Sequence, residues 1–256
     1  MTNGSVDVTA EPGDVAVEIA ALERPLLLVF DCDGVLAPLV DHADDSTLLP
    51  SVGDHLAALS TRRDVTIAIL SGRSLDGLAQ FDFADTIQVA GSYGGERRGA
   101  DPAPLTQTER ERLAVLDSIV SDAVELAGAG AWVERKPTSV VIHVREADRE
   151  LGRQALSHAR ERQAALTGHE CHEGSNVLEL MARPTNKGHG LDALRIEFAP
   201  AATVYLGDDV PDEDAFARLS GHDLSIKVGH GDTIARRRLA GPSAVARLLG
   251  DLHSRL

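Results

Sequence analysis

Two rhythms of apolar residues alternate along the chain. Leu26–Phe30 and Val65–Leu70 are short, nearly unbroken apolar runs, the composition of strands buried on both faces of a parallel sheet. Pro50 and Ser51 precede a stretch with Leu56 and Leu59 on one helical face. A helix is expected again from Ser74, after a Ser-Gly-Arg turn, and residues 86–90 read as a third strand. The same rhythm returns from Lys187: a helix to Phe198, a strand at 203–206, a helix from Pro211, a strand at Leu224–Val228 and a last helix from Pro242. Such alternation predicts an α/β fold built on a Rossmann-like, doubly wound parallel sheet.

Residues 99–182 break the pattern. Thr106 and Glu109 have capping-box spacing, and Leu113, Leu116, Val120 and Val124 follow at helical intervals. Residues 132–134 and 139–145 read as strands, 147–166 as a polar helix and 176–181 as another strand. Residues 25–98 and 183–256 are therefore expected to build one core, with 99–182 inserted as an α+β cap domain. Residues 1–24, with their Gly, Pro and acidic residues, are expected to lack fixed structure in part.

Composition narrows the function classes. The 256 residues are 43% apolar, enough for a sizeable core. The net charge of −15 disfavours nucleic acid and anionic membranes as partners, since both need clustered cations. It also means that an anionic ligand must be held by local cations and a metal. Lysine occurs only at 136, 187 and 227, which draws attention to each. Cys32 and Cys171 do not form a disulfide framework and are expected as free thiols in a reducing compartment. Residues 1–17 lack the basic start and apolar stretch of a signal peptide, and no apolar run approaches the roughly 20 residues of a membrane helix. The expected location is the cytoplasm, and the expected state a monomer.

Four motifs carry candidate chemistry, each after an apolar strand or at a helix start. Asp31-Cys32-Asp33-Gly34 places two carboxylates two residues apart at a strand end; one can attack phosphorus while the other handles protons. Alone, this is also the composition of an acidic surface turn. Asp208, in Gly207-Asp208-Asp209-Val210-Pro211-Asp212-Glu213-Asp214, stands nearest its strand end and suits a hard cation. Asp212 and Glu213 read equally well as favourable charges at a helix N-terminus. Ser71-Gly72-Arg73 reads either as an anion site or as a helix cap. Lys187-Gly188 puts a cation at a helix start, where it is electrostatically out of place and available for a phosphate or for an attacking Asp. No His or Cys spacing suggests zinc.

These elements, in this order, resemble the haloacid dehalogenase (HAD) superfamily of phosphatases. The resemblance implies that Asp31 forms an aspartyl-phosphate and that Asp33 protonates the leaving alcohol and then activates water. It implies Mg2+ bound by Asp31, the carbonyl of Asp33 and Asp208, with Ser71 and Lys187 holding the transferring phosphoryl group.

A narrower resemblance, over about residues 26–249, is to trehalose-6-phosphate phosphatases. It rests on Ser71-Gly72-Arg73, Gly91-Ser92-Tyr93-Gly94-Gly95-Glu96, Glu134 and Lys136 followed by Ser139, His143 and Arg145, Val177 and Glu179 before Pro184, Lys187-Gly188, and the acidic run from Gly207 to Phe216. It implies a small sugar phosphate as substrate. The substrate would be contacted by Gly72, Arg73, Asp209 and Asp212 of the core and by Glu134, Lys136, Arg145 and Glu179 of the cap. Two positions depart from the family pattern. Tyr93 replaces a His, and Pro211 replaces a Thr. Both bear on which sugar is recognised, and a related phosphorylated disaccharide or pseudo-disaccharide is the alternative substrate.

Overall fold

The computed structural model describes residues 9–101, 103–166, 170–174 and 176–256. They form two compact units, residues 1–100 with 186–256, and residues 101–185.

In the first unit, α1 (Pro12–Ala20) precedes the central strand β1 (Leu26–Phe30). Then come α2 (Val52–Ser60), β2 (Val65–Leu70), α3 (Leu75–Ala79), β3 (Gln88–Gly91) and β4 (Glu96–Arg97). In the second unit, α4 (Gln107–Ala127), β5 (Trp132–Arg135), β6 (Ser139–His143), α5 (Arg149–Ala164), β7 (Glu170–Gly174) and β8 (Val177–Met181) follow in turn. The chain returns to the first unit with α6 (Lys187–Phe198), β9 (Ala202–Gly207), α7 (Val210–Phe216), β10 (Leu224–Val228), β11 (Arg237–Leu239) and α8 (Pro242–Arg255).

The large sheet runs β11-β10-β9-β1-β2-β3-β4. Every pair is parallel except β3–β4. The α/β class expected from the strand–helix rhythm is the observed one. All five residues of β1 are buried, as its unbroken apolar composition requires for a strand covered on both faces. From β1 the chain goes first to β2 on one side and only later, from α6, to β9 on the other. The order therefore reverses at β1, and the crevice at the carboxyl ends of β1, β2 and β9 is the place where such sheets bind ligands.

Of residues 1–24, expected to lack fixed structure in part, a stretch is regular. Residues 1–8 lie outside the described residues, but Pro12–Ala20 is a regular helix with Pro at its start, where the missing N–H costs nothing. Val15, Ala16 and Ile19 share one face, and all are essentially buried against the core, with α1 packed on α8. A buried Ile contributes about 1.5–3 kcal/mol. That outweighs the poor composition, which is all that a local reading could weigh.

In the second unit the sheet is antiparallel, in the order β5-β6-β8-β7. Val140, Ile142, Leu178 and Leu180 alternate along their strands and form one core with Leu116, Ile119 and Val120 of α4 and Ala155 and Ala159 of α5. The helices thus cover one face of this sheet. The capping box at the start of α4 is present, with Thr106 and Glu109 satisfying each other's backbone N–H.

Candidate active site

Asp31 is the first residue after β1, and its backbone N–H donates to the Leu206 carbonyl at 2.9 Å. Its side chain is buried. Oδ1 accepts from the Cys32 N–H at 2.7 Å, and Oδ2 lies 2.7 Å from Lys187 Nζ. Lys187 is the first residue of α6, whose N-cap Asn186 accepts from the His189 N–H. Its buried ammonium also lies 2.7 Å from Asp212 Oδ1. Burial works against the charge on Lys187, but Asp212 and Asp31 outweigh it and hold the lysine above its ordinary value. Burial pushes Asp31 upward, Lys187 pulls it back, and Asp212 and Asp208 push it further.

Two glycines make this crowding possible. Gly34 has φ +76°, and a Cβ there would sit 2.0 Å from an Asp208 carboxylate oxygen. A Cβ on Gly207 would sit 2.2 Å from Asp212 Cγ. In both places the bare backbone lets an aspartate approach: at Gly34 from the end of the neighbouring strand β9, at Gly207 from α7, which follows the same strand.

The carboxylate oxygens of Asp31, Asp208 and Asp212 lie within 4.8 Å of one another. Burial and the adjacent Asp212 push Asp208 up to about 7. Lys187, with Lys227 at the Asp208 backbone, still leaves the three carboxylates with excess negative charge in a poorly solvated place. An oxygen-only donor set of this kind fits a hard divalent cation. Asp212 is committed elsewhere: it is fully buried. Oδ1 takes Lys187 Nζ and Tyr205 Oη, each at 2.7 Å, and Oδ2 takes the N–H groups of Asp208 and Asp209, each at 3.0 Å. Asp31 and Asp208 are the carboxylates with capacity left for a cation.

Asp33 is turned to other partners. Arg73 grips it in a bidentate pair, Nε to Oδ2 at 2.5 Å and Nη2 to Oδ1 at 2.8 Å, and Ser46 Oγ donates to Oδ1 at 3.1 Å. Arg73 also lies over the Phe81 ring. Of the two readings of Ser71, the helix cap fails: Ser74 is the N-cap of α3, accepting from the Gly77 N–H. Ser71 Oγ instead accepts from the Arg73 N–H at 3.2 Å.

Asp31, Asp33, Ser71, Gly72, Arg73, Lys187, Asp208 and Asp209 all line one cavity of about 710 Å3. Asp212, expected on the substrate, does not line it. It lies behind Lys187 with all its acceptor capacity occupied. Tyr93 and Pro211 also border the cavity, as does His230. Local reading missed Tyr205, which looks like a core residue of its strand, and Ser46. Lys227, singled out only for its rarity, reaches the Asp208 carbonyl.

The remaining expected residues lie in the second unit. Glu134 Oε2 accepts from His143 Nε2–H at 3.0 Å. That bond, against burial and with help from Lys136, holds the Glu134 carboxyl below its ordinary value. Lys136 Nζ is 3.0 Å from Glu179 Oε2, and Ser139 Oγ donates to Glu179 Oε1 at 2.5 Å. Arg145 is exposed in the turn after β6.

Comparison with known proteins decides the family. A family model described as trehalose-phosphatase matches residues 29–244. The chain belongs to the trehalose-phosphatase family. It is accordingly a phosphoric monoester hydrolase. The chain is 32% identical over 223 residues to the trehalose-6-phosphate phosphatase of Escherichia coli K12, covering 83% of this chain and 80% of that one. It is also 32% identical over 249 residues to the trehalose-phosphate phosphatase of Mycobacterium marinum, covering 91% of this chain but only 62% of that longer protein. Its fold is shared with the C-terminal domain of the Candida albicans trehalose-6-phosphate phosphatase, at TM-score 0.80 and 22% identity over 98% and 99% of the two chains. No helix among the described residues is long and apolar enough to cross a membrane.

Proposed function

We propose that this chain hydrolyses trehalose 6-phosphate to trehalose and inorganic phosphate, with Asp31 as nucleophile and Mg2+ as cofactor. The observation that carries this reading is the meeting of Asp31, Asp33, Ser71, Lys187 and Asp208 around one cavity at the switch point of the sheet. An Asp31 carboxylate oxygen attacks phosphorus, and the bond from phosphorus to the sugar oxygen breaks. Asp33 gives the departing alkoxide its proton. Asp33 then takes a proton from the water that attacks the aspartyl-phosphate, releasing phosphate and restoring Asp31. A carboxylate in a bidentate pair has no proton to give, so in this reading Arg73 exchanges Asp33 for substrate oxygens as the site fills and Asp33 enters the first step carrying a proton, which the attacking water later restores. Ser71 and Lys187 hold the phosphoryl oxygens, and Lys187 is kept charged and aimed by Asp212. Mg2+, held by Asp31, Asp208 and the Asp33 carbonyl, supplies positive charge against the phosphoryl oxygens.

Glu134, Lys136, Arg145 and Glu179 recognise the sugar hydroxyls in this reading, and Gly72, Arg73 and Asp209 complete the contacts. Tyr93 packs on Gly72, and both Tyr93 and Pro211 border the cavity. Their departure from the family pattern favours a second reading, a related phosphorylated disaccharide or pseudo-disaccharide. Phosphate release with Mg2+ from trehalose 6-phosphate, sucrose 6-phosphate, glucose 6-phosphate and p-nitrophenyl phosphate separates the two. Trehalose 6-phosphate is expected to be turned over fastest, and Asp31→Asn to fall to the assay background on every compound. Undiminished activity in Asp31→Asn would remove the nucleophile, and a different preferred compound would remove trehalose.

A further inference from the structure

The sheet of the second unit has two unlike faces. Its helix-covered face is apolar. The strand register places Trp132 opposite His143, and Glu134 opposite Val141, which is in turn opposite Glu179. Side chains two apart along a strand share a face, so Trp132, Glu134, His143 and Glu179 all stand on the face away from α4 and α5. Among the described residues, the one large apolar side chain well exposed on that face is Trp132, at 49%. It stacks flat on the His143 ring, with centroids 3.8 Å apart and planes 4° apart. His143 is in turn fixed through Nε2 by Glu134 at 3.0 Å.

An exposed aromatic ring held in a single orientation, next to carboxylates, is the arrangement that recognises a pyranose. The sugar's axial C–H groups make an apolar face that lies on the ring. Its edge hydroxyls meet the neighbouring acids, and little ordering is left to be done on binding. Trp132 fits this description, because the stack with His143 and the bond to Glu134 fix its plane beforehand. We propose that Trp132, braced by His143, is a stacking platform for a hexose ring of the substrate and so a specificity-determining residue. This rests on the reading of the enzyme as a disaccharide-phosphate phosphatase.

Trp132 is the only tryptophan in the chain, so intrinsic fluorescence reports on it alone. In Asp31→Asn, which holds substrate without turnover, trehalose 6-phosphate is expected to change the emission saturably, and inorganic phosphate to leave it unmoved. In the otherwise unaltered enzyme, Trp132→Ala should raise KM for trehalose 6-phosphate by about tenfold or more. Trp132→Phe, which keeps a ring, should recover most of that loss, and both variants should match the parent on p-nitrophenyl phosphate. That last activity also verifies that each variant folds. Emission that does not move at saturating sugar phosphate, an equal response to phosphate alone, or an unchanged KM in Trp132→Ala would each overturn the platform while trehalose 6-phosphate turnover by the parent stands. If the parent releases no phosphate from any disaccharide phosphate, the function and the platform fall together.

Discussion

Asp209 and Asp212 stand three residues apart in one acidic run, and the fold gives them opposite circumstances. Asp209 is exposed at the start of α7. Asp212 is fully buried beneath Lys187 with four donors on its two oxygens. Removing one partner of a buried ion pair strands the other charge, at a cost of about 3–5 kcal/mol. Losing an exposed cap costs about 1 kcal/mol. Urea unfolding of Asp212→Ala and Asp209→Ala should therefore differ by at least about 2 kcal/mol, and Asp212→Ala should also lose most phosphatase activity because Lys187 loses its aim. Equal losses of stability would mean that the buried network does not hold Lys187 as described. Charge alone could not separate these two aspartates. Both look like favourable residues at a helix start, and only the approach allowed by Gly207 and the hydroxyl of Tyr205 draws one of them inward.

At the scale of elements, the start of α4 joins two parts of the second unit. Glu109 caps the Thr106 N–H and receives Arg183 in a bidentate pair at 2.8 and 2.9 Å. The Arg183 bond, then the Thr106 N–H, hold its carboxyl down to about 2 from an ordinary 4.5. A depressed carboxyl contributes stability that is fully present above pH 4.5 and is lost as the pH falls through about 2. Because Glu109 is only half-buried, the contribution is no more than about 1 kcal/mol. The stability gap between the parent and Glu109→Gln should be open at pH 7 and nearly closed only at about pH 2, and an equal gap at both would count against the pair. This cap was legible from Thr106 and Glu109 alone, as were the buried strands β1, β2 and β10, because their signals are local. β4, β7 and β11 were not legible. Each is an edge strand, short or polar, as in Glu96–Arg97 and Arg237–Leu239, and its conformation comes from the hydrogen bonds of its neighbour. The pairing of Trp132, His143 and Glu134 was hidden for a related reason. It depends on strand register, which no single segment carries.

For the whole molecule, the acidic balance bears directly on the chemistry. A chain of net charge −15 that turns over a phosphate ester must overcome repulsion at the point of contact, and the cluster of Asp31, Asp208 and Asp212 makes that harder until a cation joins it. A cation bound there would stabilise the folded chain, because the unfolded chain does not assemble the three carboxylates. Binding to the folded state alone adds about 2.7 kcal/mol when the ligand is at a hundred times its dissociation constant. For a unit of this size that is a rise in melting temperature of about 5–10 °C. Saturating Mg2+ should produce such a rise in the parent, and a chelator should reverse it and abolish phosphate release. Asp208→Asn should melt no lower than the parent without metal, because it removes one of the repelling charges while keeping the shape of the side chain. It should also lose the response to Mg2+. A variant that still gains the full shift would place the cation away from Asp208. A parent with no shift and full activity in excess chelator would leave the acidic cluster without the role assigned to it, and the positive charge facing the phosphoryl group would have to come from side chains such as Lys187 and Arg73.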